Sequence, residues 1–526
     1  MDTISIGWID ICIVVLYLIF IIWWGLRHGK SSDAGSYFLA GRSMPWWVVG
    51  LSLFAASISS TTLIGQCGDA YDTGVAVFNY NLTGVVVMVF FATFLLPLYI
   101  RSGIFTIPEF LQKRFDKRSR YYFSAICIIG NIFLDAAGAL YAAALIIKLV
   151  FPQADLQLII LIFALLAASY TIPGGLSSAI NAELIQAVIL IVGSIILTFA
   201  CFAGGGVDYL SSLFASGDMS VKLVRPLSDP ATPWLGLIVG MPVSGIYFWA
   251  NNQTLVQRVL SARSVDEGRK GVMFTGFLTL ITLFIIVFPG VIARNLFPGM
   301  ERPDMIYPTL VLKLLPTGLL GIMLSALLAA LTSTLSAILN STSTLFTMDF
   351  YAQARPNTDS KKLVWIGKIT SLVIIVIAAL WAPNIGKFGS LLKYYQEMLS
   401  YIAPPVVAAF LMGIFSRRVN GNGAFIGLLS GLAMAVVMLL WRHQIFGDMH
   451  FLLIIPFLLV FSMVVIYLAS LAFPAPGADK LENTTFSFKA FREEGVALRK
   501  EPLYRNYRFW GGCLLAGCAA ILVLFS

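Results

Sequence analysis

Apolar stretches of membrane-crossing length alternate with short polar ones along almost the whole chain. A helix that crosses a bilayer needs about 20 mostly apolar residues, and about fourteen runs meet that requirement. They fall at residues 8–26, 46–66, 78–100, 121–150, 156–172, 183–202, 234–257, 271–296, 307–350, 364–381, 392–415, 424–441, 451–473 and 509–525. The run 307–350 is too long for one bilayer, which predicts a short extracellular helix ahead of a crossing that starts near Gly318. One long charged stretch, 474–508, predicts a cytoplasmic surface segment with an amphipathic helix over 486–499. The expected fold class is an all-α integral membrane protein with about 14 transmembrane helices.

Two of these runs are polar in the middle. Residues 51–65 place five hydroxyls, Ser57, Ser59, Ser60, Thr61 and Thr62, in six positions. No lipid-facing helix needs such a cluster. In hydrocarbon the backbone leaves the helix only where it lines a cavity or is buried in protein, and interrupted helices hold ions and substrates in secondary transporters. A small-residue packing face between helices is the competing reading. Five runs later, 245–253 is equally polar, with Asn251, Asn252 and Gln253 behind Phe248 and Trp249. Each opens a five-helix unit, the order expected of an inverted repeat, although no residue-level repeat is visible. The chain then divides into a first flanking helix and cytoplasmic loop (1–45), a first repeat with an extracellular loop (46–233), a second repeat (234–415) and C-terminal flanking helices around the loop 474–508 (416–526).

Composition strengthens this picture. Hydrophobic residues make up 59% and charged residues 12%, so no large soluble domain fits. The net charge of +9 sits between the apolar runs, where it orients the chain on a membrane rather than binding nucleic acid. Arg27, His28 and Lys30 follow the first run and put that loop in the cytoplasm. Alternation then collects most basic residues on the cytoplasmic side and leaves both termini outside, in a multi-pass plasma-membrane protein. Residues 1–6 lack a basic segment, so the first run reads as a retained helix. The six cysteines have no metal-ligand spacing and read as packing residues. His28, His443 and His450 lie in or beside loops with no nucleophile, metal or phosphate motif nearby, which argues against an enzyme.

A sodium ion wants several oxygen ligands, and neutral ones avoid burying carboxylates in hydrocarbon. Hydroxyls are supplied twice, at 57–62 and at 330–344, where Ser333, Ser336, Asn340 and Thr344 recur at spacings of three and four. A Ser/Thr-rich helix bonding back to its own carbonyls is the bland alternative.

Four motifs carry a resemblance: GIFTIPEF at 103–110, YTIPGGLS at 170–177, QRVLSARS at 257–264 and LNSTSTLFTMD at 339–349. Through them the chain resembles the sodium/solute symporter family, and within it the sodium/sugar cotransporters, over essentially its full length. The resemblance implies the LeuT-type fold of two inverted five-helix repeats with flanking helices, a functional monomer, and sodium entry coupled to solute uptake by alternating access. It implies a sodium site on the carbonyls of Ala55, Ile58 and Ala330 and the hydroxyls of Ser333 and Thr334. A second sodium site would involve Glu183 and Ser336, but Glu183 replaces an aspartate and Ala337 replaces a hydroxyl. Glu183 near a helix end is equally an acid that snorkels to the interface.

The solute residues depart from the relatives. Asn81 and Thr279 stand where galactose-type members carry glutamate and lysine, and Asp135 stands where sialic acid carriers have arginine. The expected solute-binding set is Ser57, Ser59, Thr61, Thr62, Tyr80, Asn81, Asp135, Asn252 and Gln396, with Phe248 and Trp249 as gate and apolar wall. Hydroxyls and amides against aromatic faces suit a neutral sugar or polyol. An amine, an amino acid or a carboxylate remains open as the solute, as does a ligand sensor or sodium leak on the same fold. Asp69 and Asp72 are expected in a solvated outward loop.

Overall fold

The computed structural model describes residues 7–28, 34–58, 61–150, 153–229, 231–388, 391–447 and 449–526. Among them the secondary structure is helical, with two isolated β-bridges and no strand. Eleven helical stretches are long and apolar enough to cross a membrane, and two shorter apolar helices, Trp8–Trp24 and Trp46–Ser57, accompany them. Leu161, Val192, Phe199, Leu372, Leu380 and Val464 stand exposed on these helices. Exposed large apolar side chains on helices of membrane-crossing length suit a hydrocarbon environment. Polar caps set several helix starts: Thr106 accepts from the Glu109 amide (3.3 Å), Asp116 from Ser119 (3.0 Å) and Ser264 from Glu267 (3.2 Å).

The bundle is built around the helix Leu319–Thr344, in which every residue from Met323 to Thr344 is buried. It packs on the long kinked helix Leu156–Cys201, on Trp46–Ser57 and on Ser360–Trp381. Much of its hydroxyl face satisfies itself, as Thr332, Thr342 and Thr344 donate to carbonyls one turn back. Ser336 differs, because its Oγ is buried with no partner.

The expected short helix before Gly318 is present as Ile306–Leu314, and the amphipathic helix of the charged segment as Phe488–Leu498. Glu494 docks that segment, accepting from Arg269 (2.5 and 3.2 Å), Tyr507 (3.0 Å) and Arg508 (3.2 Å). Burial alone would raise this carboxyl. The hydrogen bonds from Arg269, Tyr507 and Arg508 outweigh that and hold it below the usual carboxylate range.

The crossing expected over 121–150 is present as one apolar helical span that carries a π-helical turn, Asn131–Ala136, between Lys117–Gly130 and Ala137–Val150. Two expectations need correction. Asp69 and Asp72 lie on the helix Gln66–Thr73, not in a loop, because the first broken helix resumes beyond its break. The gap expected between 172 and 183 closes at one residue, Gly175, with φ 63° and ψ −155°. A Cβ there would lie 2.6 Å from the Tyr37 ring and 2.7 Å from its carbonyl oxygen, so only glycine fits.

Glu183 therefore sits about two turns inside the second helical half. It is fully buried, so it does not snorkel. Arg258 Nη2 approaches its Oε1 to 2.6 Å, and Ser52 Oγ donates to its Oε2. Removing one member of such a pair leaves an unneutralised buried charge, at a cost of about 3–5 kcal/mol. Arg258→Ala is accordingly expected to lower the thermal unfolding temperature in detergent sharply. The double variant Glu183→Gln/Arg258→Met is expected to recover most of the loss; equal loss in both would show that charge pairing is not the cause.

Candidate ion and solute site

Both polar interruptions are real breaks. The helix Trp46–Ser57 ends at Ile58 (φ −89°, ψ 80°), and the chain resumes as a π turn, Thr61–Gly65, and the helix Gln66–Thr73. In the second unit Met241–Ile246 runs into a π turn, Tyr247–Asn251, breaks at Asn252 (φ −71°, ψ 117°) and resumes as Gln253–Leu260. Asn252 caps the resumed helix, its Oδ1 accepting from the Thr254 amide at 2.8 Å.

A cavity of about 150 Å³ lies between the two breaks. One water needs about 10–15 Å³ on this measure, so the space suits a small organic molecule. It gathers Ser57, Thr62, Tyr80, Asn81, Asp135, Asn252 and Gln396, seven of the solute residues expected from the sequence. The expectations for Ser59 and for the side chain of Thr61 lie outside the described residues. Phe248 and Trp249 line the cavity as well, with rings 5.1 Å apart and edge-on at 88°. Asp135 enters from the π turn Asn131–Ala136, a helical defect often found at functional positions, and Tyr395 lines the cavity with it. Among the described residues it is the one acidic group lining the cavity, and no lysine, arginine or histidine joins it.

The expected sodium ligands cluster less completely. Ile58 and Thr334 line the same cavity, which brings the first break against the buried hydroxyl-rich helix. Ala55, Ala330 and Ser333 are buried on those two helices, off the cavity wall. Ser333 Oγ and Thr334 Oγ1 both donate back to the Ala330 carbonyl of their own helix, at 3.0 and 2.9 Å, which is the self-bonding that the sequence offered as the alternative to an ion site. Glu183 and Ser336 do not line the cavity, and the Glu183 carboxylate is engaged by Ser52 and Arg258.

Reading the sequence missed Gln66, Ser244, Thr254, Thr282 and Tyr395 as cavity residues. A signal existed for one of them: Thr275, Thr279 and Thr282 recur at helical spacing on an otherwise apolar run. Gln66 lies only four positions beyond the hydroxyl cluster. The Gln66 Oε1 and Thr254 Oγ1 atoms are buried without a protein partner.

The sodium:solute symporter family model matches residues 37–431. The chain belongs to the sodium:solute symporter family. Sodium/glucose cotransporter 1 of Ovis aries is 33% identical, over 94% of this chain and 83% of that protein. Sodium/myo-inositol cotransporter 2 of Homo sapiens is 34% identical, over 82% of this chain and 69% of that protein. The fold is similar to a substrate-bound, outward-open Na+-coupled sialic acid symporter, with TM-score 0.79 and 22% identity over 90% of this chain and 99% of that one. A nucleobase-cation-symport-1 family transporter matches with TM-score 0.60 and 17% identity, over 86% and 99% of the two chains. These neighbours place this family member in the LeuT-type fold class, and membership makes it a sodium-coupled symporter of a small solute.

Gly84 shows how tightly this symporter packs its cavity wall, since a Cβ there would lie 2.7 Å from Trp249 Nε1. Gly84→Ala is expected to push the indole into the cavity and raise the solute KM by roughly 10- to 100-fold, with sodium activation unchanged. Uptake kinetics at saturating sodium check this; an unaltered KM would mean that Trp249 does not shape the solute site.

Proposed function

We propose that this protein imports a neutral sugar or polyol together with sodium. The observation that carries the reading is the cavity itself, lined by hydroxyls and amides together with the aromatic rings of Phe248 and Trp249. Sugar hydroxyls donate and accept at once, and their CH faces pack on aromatic rings. The two relatives named for glucose and myo-inositol support this solute class. An acidic sugar is disfavoured, because Asp135 lines the cavity and no lysine, arginine or histidine joins it among the described residues. The same observation favours an amine as the second reading.

In this proposal sodium binds between the Ala55, Ile58 and Ala330 carbonyls and the Ser333 and Thr334 hydroxyls. Glu183 acts as a helix-to-helix lock with Arg258 rather than as a second ion site. The chain works as a monomer in the plasma membrane. It has 14 crossings, with the repeats spanning 46–233 and 234–415 and both termini outside.

Proteoliposome uptake separates transport from a sensor or leak on the same fold. Accumulation of D-glucose or myo-inositol that collapses when sodium is replaced by potassium is the expected result; sodium current without accumulation of any solute would point to the leak. Ser333→Ala removes one ligand oxygen, worth about 1–2 kcal/mol. It is expected to raise the sodium concentration for half-maximal uptake roughly tenfold while solute preference holds. Unchanged sodium activation would place the ion elsewhere. Asp135→Asn is expected to change solute KM at saturating sodium, and an unchanged KM for every solute tried would remove Asp135 from the site.

A further inference from the structure

A chain of hydrogen bonds behind the cavity wall fixes the orientation of one amide in the residues that line the cavity. It starts at the Thr279 carbonyl, which lies 2.6 Å from Thr282 Oγ1. A carbonyl has no hydrogen to give, so at that distance the proton between the two oxygens belongs to Thr282. With its hydrogen used, Thr282 Oγ1 can only accept, and Asn81 Nδ2 donates to it at 2.7 Å. That leaves Asn81 Oδ1 as an acceptor, and Gln66 Nε2 donates to it at 2.8 Å. Each assignment forces the next one. At the end of the chain Gln66 is held with its NH2 group turned to Asn81, and its Oε1 is buried and without a protein partner. Gln66, Asn81, Thr279 and Thr282 all line the cavity.

We propose that Gln66 is a specificity-determining residue of the solute cavity, presented by the Thr279–Thr282–Asn81 relay as an obligatory hydrogen-bond acceptor. The solute that satisfies it brings an O–H or N–H donor to this corner. A solute with hydrogen or an ether at that position leaves the acceptor buried and unpaired, and sites built to bond a hydroxyl reject analogues that lack it far more strongly than apolar pockets reject one methylene. Thr282 and Asn81 act as positioning residues, since each decides which end of the next group faces inward. The assignment deepens the neutral sugar or polyol reading and rests on it for the choice of a hydroxyl over an N–H donor.

The test uses the full chain in proteoliposomes with D-glucose, D-galactose, myo-inositol, L-proline and choline as labelled probes, under sodium and potassium gradients. Analogues of the accumulated probe, each with one O–H or N–H donor removed or methylated, then compete for its uptake. Wild type is expected to discriminate against loss of one particular donor by roughly tenfold or more. Gln66→Leu is expected to flatten that preference to within about threefold while half-maximal sodium stays unchanged. Thr282→Val is expected to weaken the same preference and Thr282→Ser to restore it, a pattern that mere loss of stability does not produce. Should Gln66→Leu fail to fold, Gln66→Met gives the same comparison with a side chain of nearly equal length. Unchanged preference in the Gln66 variants, or in Thr282→Val, overturns the assignment. Accumulation of L-proline or choline alone rejects the sugar reading, while the Gln66 and Thr282 comparison on that probe still decides the relay. Accumulation of none of the five rejects both.

Discussion

A peptide group surrounded by hydrocarbon must find its partner within its own helix, and this one constraint shapes the rest of the molecule. Among the described residues the chain departs from it at Ile58 and at Asn252, where the backbone leaves helical geometry beside the cavity. Both breaks therefore face the cavity, where side chains, water, an ion or a solute can satisfy what the helix does not. Asn252 supplies part of the remedy itself by capping Thr254. The elements that pack around the breaks bring hydroxyls and amides with them. Polar lining follows from the broken backbone, and the cavity from the need to keep lipid away from both.

The buried pair of Glu183 and Arg258 decides which parts of the broken helices move as a unit. Ser52 lies in the first half of the first broken helix, Arg258 in the resumed half of the second, and Glu183 on the helix that restarts beyond Gly175. An exposed pair would contribute about 0–1 kcal/mol and yield readily. A buried pair resists separation, because each partner would be left charged and unsolvated. Two half-helices that touch the cavity, one through Ser57 and Ile58 and the other through Asn252 and Thr254, are thus fastened to each other through a third helix. Motions that open the cavity while keeping this contact are favoured over motions that split it.

The all-helical membrane class was legible from hydrophobic run length, the LeuT-type fold from the family resemblance, and both interruptions from polar residues that lipid does not tolerate. The amphipathic helix around Phe488–Leu498 and the short helix Ile306–Leu314 followed from the same reasoning. Partnerships were not legible. Glu183 could be recognised as an acid in an apolar run, but its partner lies 75 positions away and is identified only by packing. The runs 156–172 and 183–202 read as separate crossings with a gap between them, yet the turn takes one glycine with a positive φ, pressed against Tyr37. Gln66 was passed over because glutamine in isolation carries no directional signal. Its role depends on Asn81, 15 positions on, and on Thr282, a further 201 positions on.

The first broken helix also explains why ion and solute need not touch to depend on each other. In the proposed site sodium binds the carbonyls of Ala55 and Ile58, while Ser57 and Thr62 belong to the cavity wall. These groups share one short piece of backbone, tied across the break by the bond from Thr62 Oγ1 to the Ser57 carbonyl at 3.1 Å. An ion that fixes the carbonyls fixes the hydroxyls with them, so the ordering that each ligand requires is supplied once. A ligand shifts a conformational equilibrium only by the difference in its affinity for the two states. In the proposed site sodium favours whichever state closes this strand of backbone around it, and the solute favours the state that gathers the cavity residues Ser57, Thr62 and Gln66. The membrane potential, about 2.3 kcal/mol per charge per 100 mV, acts on the ion alone. In the proposed symport of a neutral solute it drives uptake only because both ligands select the same arrangement of the break.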